Sequence, residues 1–145
     1  MIKIIKLIPI VFILLNLTNS SLADNNFFED GKMKYNEKKY EESKFLFQRS
    51  IVFNPKDQIS YLYLAKIYNH EDNKKEVQKN INTVLLLDPK NEEANYLLME
   101  IELKKSNYRK VSELVENFSK ICKELCNKKI LILKSLENLE PKDES

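Results

Sequence analysis

The sequence predicts an all-α domain, a solenoid of stacked helix–turn–helix units. Three observations carry that expectation. Asn54–Asp57 reads NPKD and Asp88–Asn91 reads DPKN, so Pro55 and Pro89 lie 34 residues apart, the period of helical-hairpin arrays. The chain of 145 residues holds one glycine and no tryptophan; so few glycines argue against β-sandwiches, phosphate-cradling loops and dinucleotide folds. Apolar residues recur at i, i+3, i+4 and i+7 along most of its length, the pattern of amphipathic helices. Charged residues make up 32% and hydrophobic ones 43%, ordinary for one folded domain.

Residues 1–23 read as a secretory signal peptide. Lys3 and Lys6 form a short positive region, Leu7 to Leu17 is almost wholly apolar, and Ser21-Leu22-Ala23 supplies an A-x-A-like cleavage site before Asp24. The apolar core of about 11 residues is short of the roughly 20 a spanning helix needs. An uncleaved anchor is the alternative. No cysteine lies near the site, which argues against a lipoprotein. Cleavage removes two of the 24 basic side chains and leaves 22 against 22 acidic ones. A neutral mature chain lacks the footprint of a nucleic-acid binder.

The mature chain divides into three units, 24–57, 58–91 and 92–125. Stepping by the same period carries Gly31 to Ala65 and Met99, Phe47 to Ile81 and Val115, and Ser50 to Val84 and Phe118. These columns stay apolar or small. First helices are expected at 25–37, 58–71 and 92–105, and second helices at 41–53, 74–87 and 108–120. In the first unit Ser43, Phe47, Ser50, Ile51 and Phe53 form the core-facing stripe of the second helix. Asn54-Pro55 and Asp88-Pro89 end second helices, because the residue before proline is driven out of the α region. Asp57 and Asn91 then stand where the next N-cap belongs, and Asn36 and Asn107 mark the short turns within units. Residues 127–140 form a capping helix, with Ile130, Leu131, Leu133, Leu136 and Leu139 as its apolar stripe and Lys128, Lys129, Lys134, Glu137 and Asn138 outside. Residues 141–145 are a polar, disordered tail.

Gly31, Tyr40, Ser43, Phe47, Ser50 and Pro55 stand at the spacing of a tetratricopeptide repeat, as do Tyr61, Leu64, Ala65, Tyr68, Val84 and Pro89. Leu98, Tyr108, Val111 and Val115 match more weakly. From residue 24 to about 125 the chain resembles that family. The resemblance implies close helix approach at Gly31 and Ser43, and Tyr40 plugging the end of a helix pair. Val77, Val111 and Met99 stand where small residues are usual, Lys34 and Glu102 replace an aromatic, and Lys123 replaces the closing proline. Bulky substitutes alter the rotation from unit to unit.

The resemblance also implies a concave groove lined by the first helices. Its side chains here are Phe28, Lys32, Tyr35, Leu62, Lys66, Asn69, Tyr96, Glu100 and Leu103. Aromatics among polar groups suit peptide binding. Phe28 and Tyr63 occupy columns that a carboxylate clamp would fill, so a receptor for C-terminal carboxylates is not supported.

Candidate chemistry is sparse. His70 is the sole histidine, and adjacent Glu71 and Asp72 point away from it on a helix, so no triad is expected. Cys122 and Cys126 are the only cysteines. An exported chain favours a disulfide; the i, i+4 spacing is awkward on one helix and easier if the chain turns between them. The alternative is two thiols in a helix corner. One His and two Cys cannot fill a four-coordinate metal site. Glu41-Glu42 and Glu92-Glu93 begin helices, where the dipole favours negative charge. The expected protein is no enzyme and has no cofactor. It is an exported adaptor of the bacterial periplasm, binding a protein or peptide partner in envelope complex assembly. The alternatives are a self-associating structural module and a membrane-anchored subunit of an envelope complex, the membrane being reached only through an uncleaved N-terminal segment.

Overall fold

A computed structural model describes residues 26–139. The expected signal peptide at 1–23 and the tail at 141–145 lie outside the described residues. Seven helices follow one another: α1 Phe27–Asn36, α2 Tyr40–Phe53, α3 Gln58–His70, α4 Lys74–Leu87, α5 Glu92–Lys104, α6 Tyr108–Ile121 and α7 Lys128–Leu139. Among the described residues every regular element is a helix, and none is long and apolar enough to cross a membrane. Helices neighbouring in sequence pack together throughout, and α5 also touches α7. This is the all-α solenoid of the 34-residue register.

The caps explain where helices start. The side chains of Asn26, Asp57, Asn73 and Asn91 accept backbone N–H groups of α1, α3, α4 and α5. Lys39 and Asn107 begin α2 and α6 without such a bond. Asn54 and Asp88, each before a proline, leave the helix at φ −133° and −140°. The turns inside the units repeat too. Lys38, Asp72 and Ser106 lie one period apart, and all three adopt a left-handed backbone with φ of 60°, 53° and 56°. Glycine usually takes that conformation.

Close approach in the first unit depends on Gly31. A Cβ there would stand 2.9 Å from the Phe47 ring, and the Ser43 hydroxyl donates to the Gly31 carbonyl at 2.9 Å. Ser43, Phe47 and Ser50 are buried as expected, but Phe53 is 64% exposed and stacks on Phe27 instead. Phe53 ends α2, past the reach of the next unit. The core continues through Leu62, Ala65, Val77, Ile81, Val84 and Ala94, then through Met99, Val111, Val115, Phe118, Ile132 and Leu136.

Glu102 shows how the third unit bears a carboxylate in an aromatic column. It is buried, and accepts from Lys105 Nζ at 2.8 Å and Asn107 Nδ2 at 2.9 Å. Burial pushes its carboxyl upward, but these hydrogen bonds outweigh it and hold the group below the usual carboxylate value.

The end of the solenoid differs from the expected stripe. Ile132 and Leu136 are the buried residues of α7, whereas Ile130, Leu131, Leu133 and Leu139 are 37–53% exposed. Ile132 continues the column of Leu98, which packs on the second-unit core, and Ile132 and Leu136 both close the third-unit core. Leu133 continues Gly31, Ala65 and Met99, which face the second helix of their own unit. No described helix follows α7, so that column stays open.

Candidate functional site

The first helices α1, α3 and α5 share one face, and α7 extends it. Tyr63 stands at its centre. Its ring stacks on Phe47 at 4.8 Å and takes Tyr35 edge-on at 5.0 Å and Phe28 edge-on at 6.3 Å. Lysines lie over these rings. Lys32 Nζ is 5.2 Å from the Phe28 centroid, Lys66 4.8 Å from Tyr63, and Lys128 5.3 Å from Tyr96. Carboxylates hold two of the lysines in place: Glu29 pairs with Lys32 at 3.0 Å, and Glu93 of α5 pairs with Lys66 of α3 at 2.7 Å. The Tyr96 hydroxyl donates to Glu100 at 2.7 Å.

This packing alters the phenols. Burial, then the hydrogen bond to Glu100, pushes Tyr96 up to about 12. Burial, with Tyr40, Glu93 and Tyr63 nearby, raises Tyr35. Both remain neutral hydroxyls at physiological pH. The face therefore offers half-buried rings and fixed charges of both signs.

The structure brings together Phe28, Lys32, Tyr35, Lys66, Tyr96 and Glu100 along this face. Leu103 is half-buried against the third-unit core. Asn69 stands apart, beside a cleft of about 120 Å³ at the turns of the second and third units, with Lys74, Ile101 and Lys104.

Leu62 is corrected. It was expected to line the groove, but it is only 5% exposed and packs with Ala65, Val77, Ile81 and Val84. One residue on a helix is about 100° of rotation, and α3 is turned so that Tyr63 takes the surface. Tyr63 was missing from the groove set, although its column was already recognised as one that faces a bound peptide.

The other candidate residues serve structure. His70 is exposed and packs its ring 4.5 Å from Tyr40. Glu71 and Glu41 both pair with Lys44 at 2.8 Å, tying α2 to the end of α3. Their hydrogen bonds raise Lys44 to about 12. Cys122 and Cys126 are bridged, with Cα atoms 5.2 Å apart, in the loop between α6 and α7 rather than on one helix. Glu92 does more than favour a helix dipole. Its carboxylate accepts the backbone N–H groups of Lys123, Glu124 and Leu125 in that loop.

Fold and face together define an α-helical repeat protein. No protein-family model matches the chain, and no curated protein matches it. A chain from a solved CopN-Scc3 complex is similar in structure, with a TM-score of 0.63 over 86% of this chain and 74% of that one, at 14% sequence identity. At that identity the likeness is one of fold.

Proposed function

We propose that this is an exported scaffold of the tetratricopeptide type, without enzymatic activity, that holds an extended segment of a protein partner against the face of its first helices. The observation that carries the reading is the row of half-buried rings, Phe28, Tyr35, Tyr63 and Tyr96, interleaved with Lys32, Lys66, Glu93 and Glu100. Aromatic anchors with a polar rim are what peptide capture needs. The similar fold in a solved protein complex is consistent with a binding role. The bacterial periplasm, and assembly of an envelope complex there, are the setting that residues 1–23 favour.

A photo-crosslinking residue placed at Tyr96 tests this, against the same residue at Asn82 on the exposed side of α4. The expected outcome is a discrete adduct from Tyr96 in envelope preparations and none from Asn82. Equal adducts from both positions reject the face.

A further inference from the structure

The two edges of the solenoid are chemically unlike. Helix direction alternates, so the turns within units, near Lys38, Asp72 and Ser106, form one edge. The ends of α2 and α4 and the turns between units form the other. Within the three units the exposed large apolar residue nearest the first edge is Met33, one turn in from the end of α1, and the end of α7 adds Leu139 at 52% exposure. The second carries Val52 at 73%, Phe53 at 64%, Leu86 at 82% and Leu87 at 37% exposure. Val52 and Leu86, like Phe53 and Leu87, are one repeat period apart, so the apolar tips recur from unit to unit.

Cations recur beside them. Lys56 and Lys90 follow the two prolines, are exposed, and form no ion pair among the described residues. Three carboxylates of this edge accept backbone hydrogen bonds, while Glu124 in the loop after α6 is exposed and forms no ion pair among the described residues. Asp57 accepts from Ile59 and Ser60, Asp88 from the Lys90 N–H, and Glu92 from the loop after α6. Arg49 lies over the Phe27 and Phe53 rings at 5.2 and 5.9 Å.

The chain also enters here. Phe27 stacks on Phe53 at 5.4 Å, so residues 1–23, if retained as the uncleaved anchor, would be joined to the domain on this edge. We infer that the edge of Val52, Phe53, Leu86, Lys56 and Lys90 rests on a membrane surface bearing anionic lipid. Apolar tips enter the headgroup boundary and lysines stay at the phosphates. Isolated apolar tips flanked by unpaired lysines fit a lipid boundary better than they fit a protein pocket. The arrangement leaves the row of rings on the first helices uncovered for a partner.

The absence of tryptophan makes the test direct. The full chain carrying Leu86→Trp is compared with one carrying Lys75→Trp on the opposite edge, each on vesicles of brominated phosphatidylcholine with phosphatidylglycerol. Quenching several-fold stronger at position 86 is expected. Lys56→Glu with Lys90→Glu should reduce it, as should omitting phosphatidylglycerol. Equal quenching at both positions would mean a tether without orientation and overturns the inference. No quenching at position 86 also overturns it and leaves this edge to a protein. Quenching indifferent to phosphatidylglycerol overturns the role of the lysines.

Discussion

The Glu92 carboxylate accepts the Leu125 N–H at 2.7 Å, joining the first residue of α5 to the loop that leads into α7. Lys123 and Glu124 donate to the same carboxylate. In the earlier units an Asn-Pro or Asp-Pro corner makes this turn. In the third unit a disulfide loop makes it, and Glu92 fixes that loop to the solenoid. These hydrogen bonds hold the Glu92 carboxyl below its usual value, against a smaller opposing effect of burial.

Glu92→Ala should therefore loosen the last helix selectively. Amide hydrogen exchange should accelerate at Lys123–Leu125 and in α7, while α1–α3 keep their protection, because repeats interact chiefly with their neighbours. Uniform acceleration along the chain would contradict this anchoring role.

Gly31→Ala should destabilise, although alanine favours helices by about 1 kcal/mol over glycine. The new methyl meets the wholly buried Phe47 ring at 2.9 Å, and Phe28 and Tyr63 hem that ring in. Overpacking of this kind costs about 1–3 kcal/mol. Urea denaturation of the variant reads the sign directly, and a stabilised protein would show that the ring moves aside freely.

Lys38→Gly and Ser106→Gly should each stabilise. Both residues hold a left-handed backbone at φ near 60°, which costs an L-residue about 1–2 kcal/mol. Glycine's greater unfolded-state freedom offsets part of that, so a net gain of about 0.5–1 kcal/mol each is expected. The two turns are distant, so the gains should add in the double variant.

Glu102 predicts an acid limit. Its folded carboxyl lies below the unfolded value of 4.5, so its contribution is complete above that pH and is lost as pH falls through the folded value. Glu102→Gln should flatten the decline in melting temperature below pH 4.5 relative to wild type. Removing the side chain with Glu102→Ala deletes its hydrogen bonds to Lys105 and Asn107, exposed residues that water can then serve, and should cost about 0.5–1.5 kcal/mol at neutral pH. An unchanged acid profile in Glu102→Gln would place the titration elsewhere.

Much of the architecture was legible in the residues. Pro55 and Pro89 set the period, Asp57 and Asn91 cap where the pattern places them, and the helices begin and end within two residues of the expected spans. The candidate face was legible in part. Phe28, Tyr35 and Tyr96 lie on it, but Leu62 is buried and Tyr63 takes its place. On α7 the expected apolar stripe omitted Ile132, the most buried residue of that helix.

These differences share a cause. Sequence alone determined the repeat, the turns and which residues share a helical face, because backbone preference and the helical period are local. Tertiary structure decided how far each helix is rotated against its neighbour, and therefore whether Leu62 or Tyr63 meets solvent and which side of α7 is covered. One residue is about 100° of rotation, and that rotation is set where Leu62, Ala65, Val77 and Ala94 pack together, contacts that exist only once helices separated in sequence have met. It also decided that Glu92, at a helix start, would bind a loop more than thirty residues further along the chain. No local pattern contains that contact.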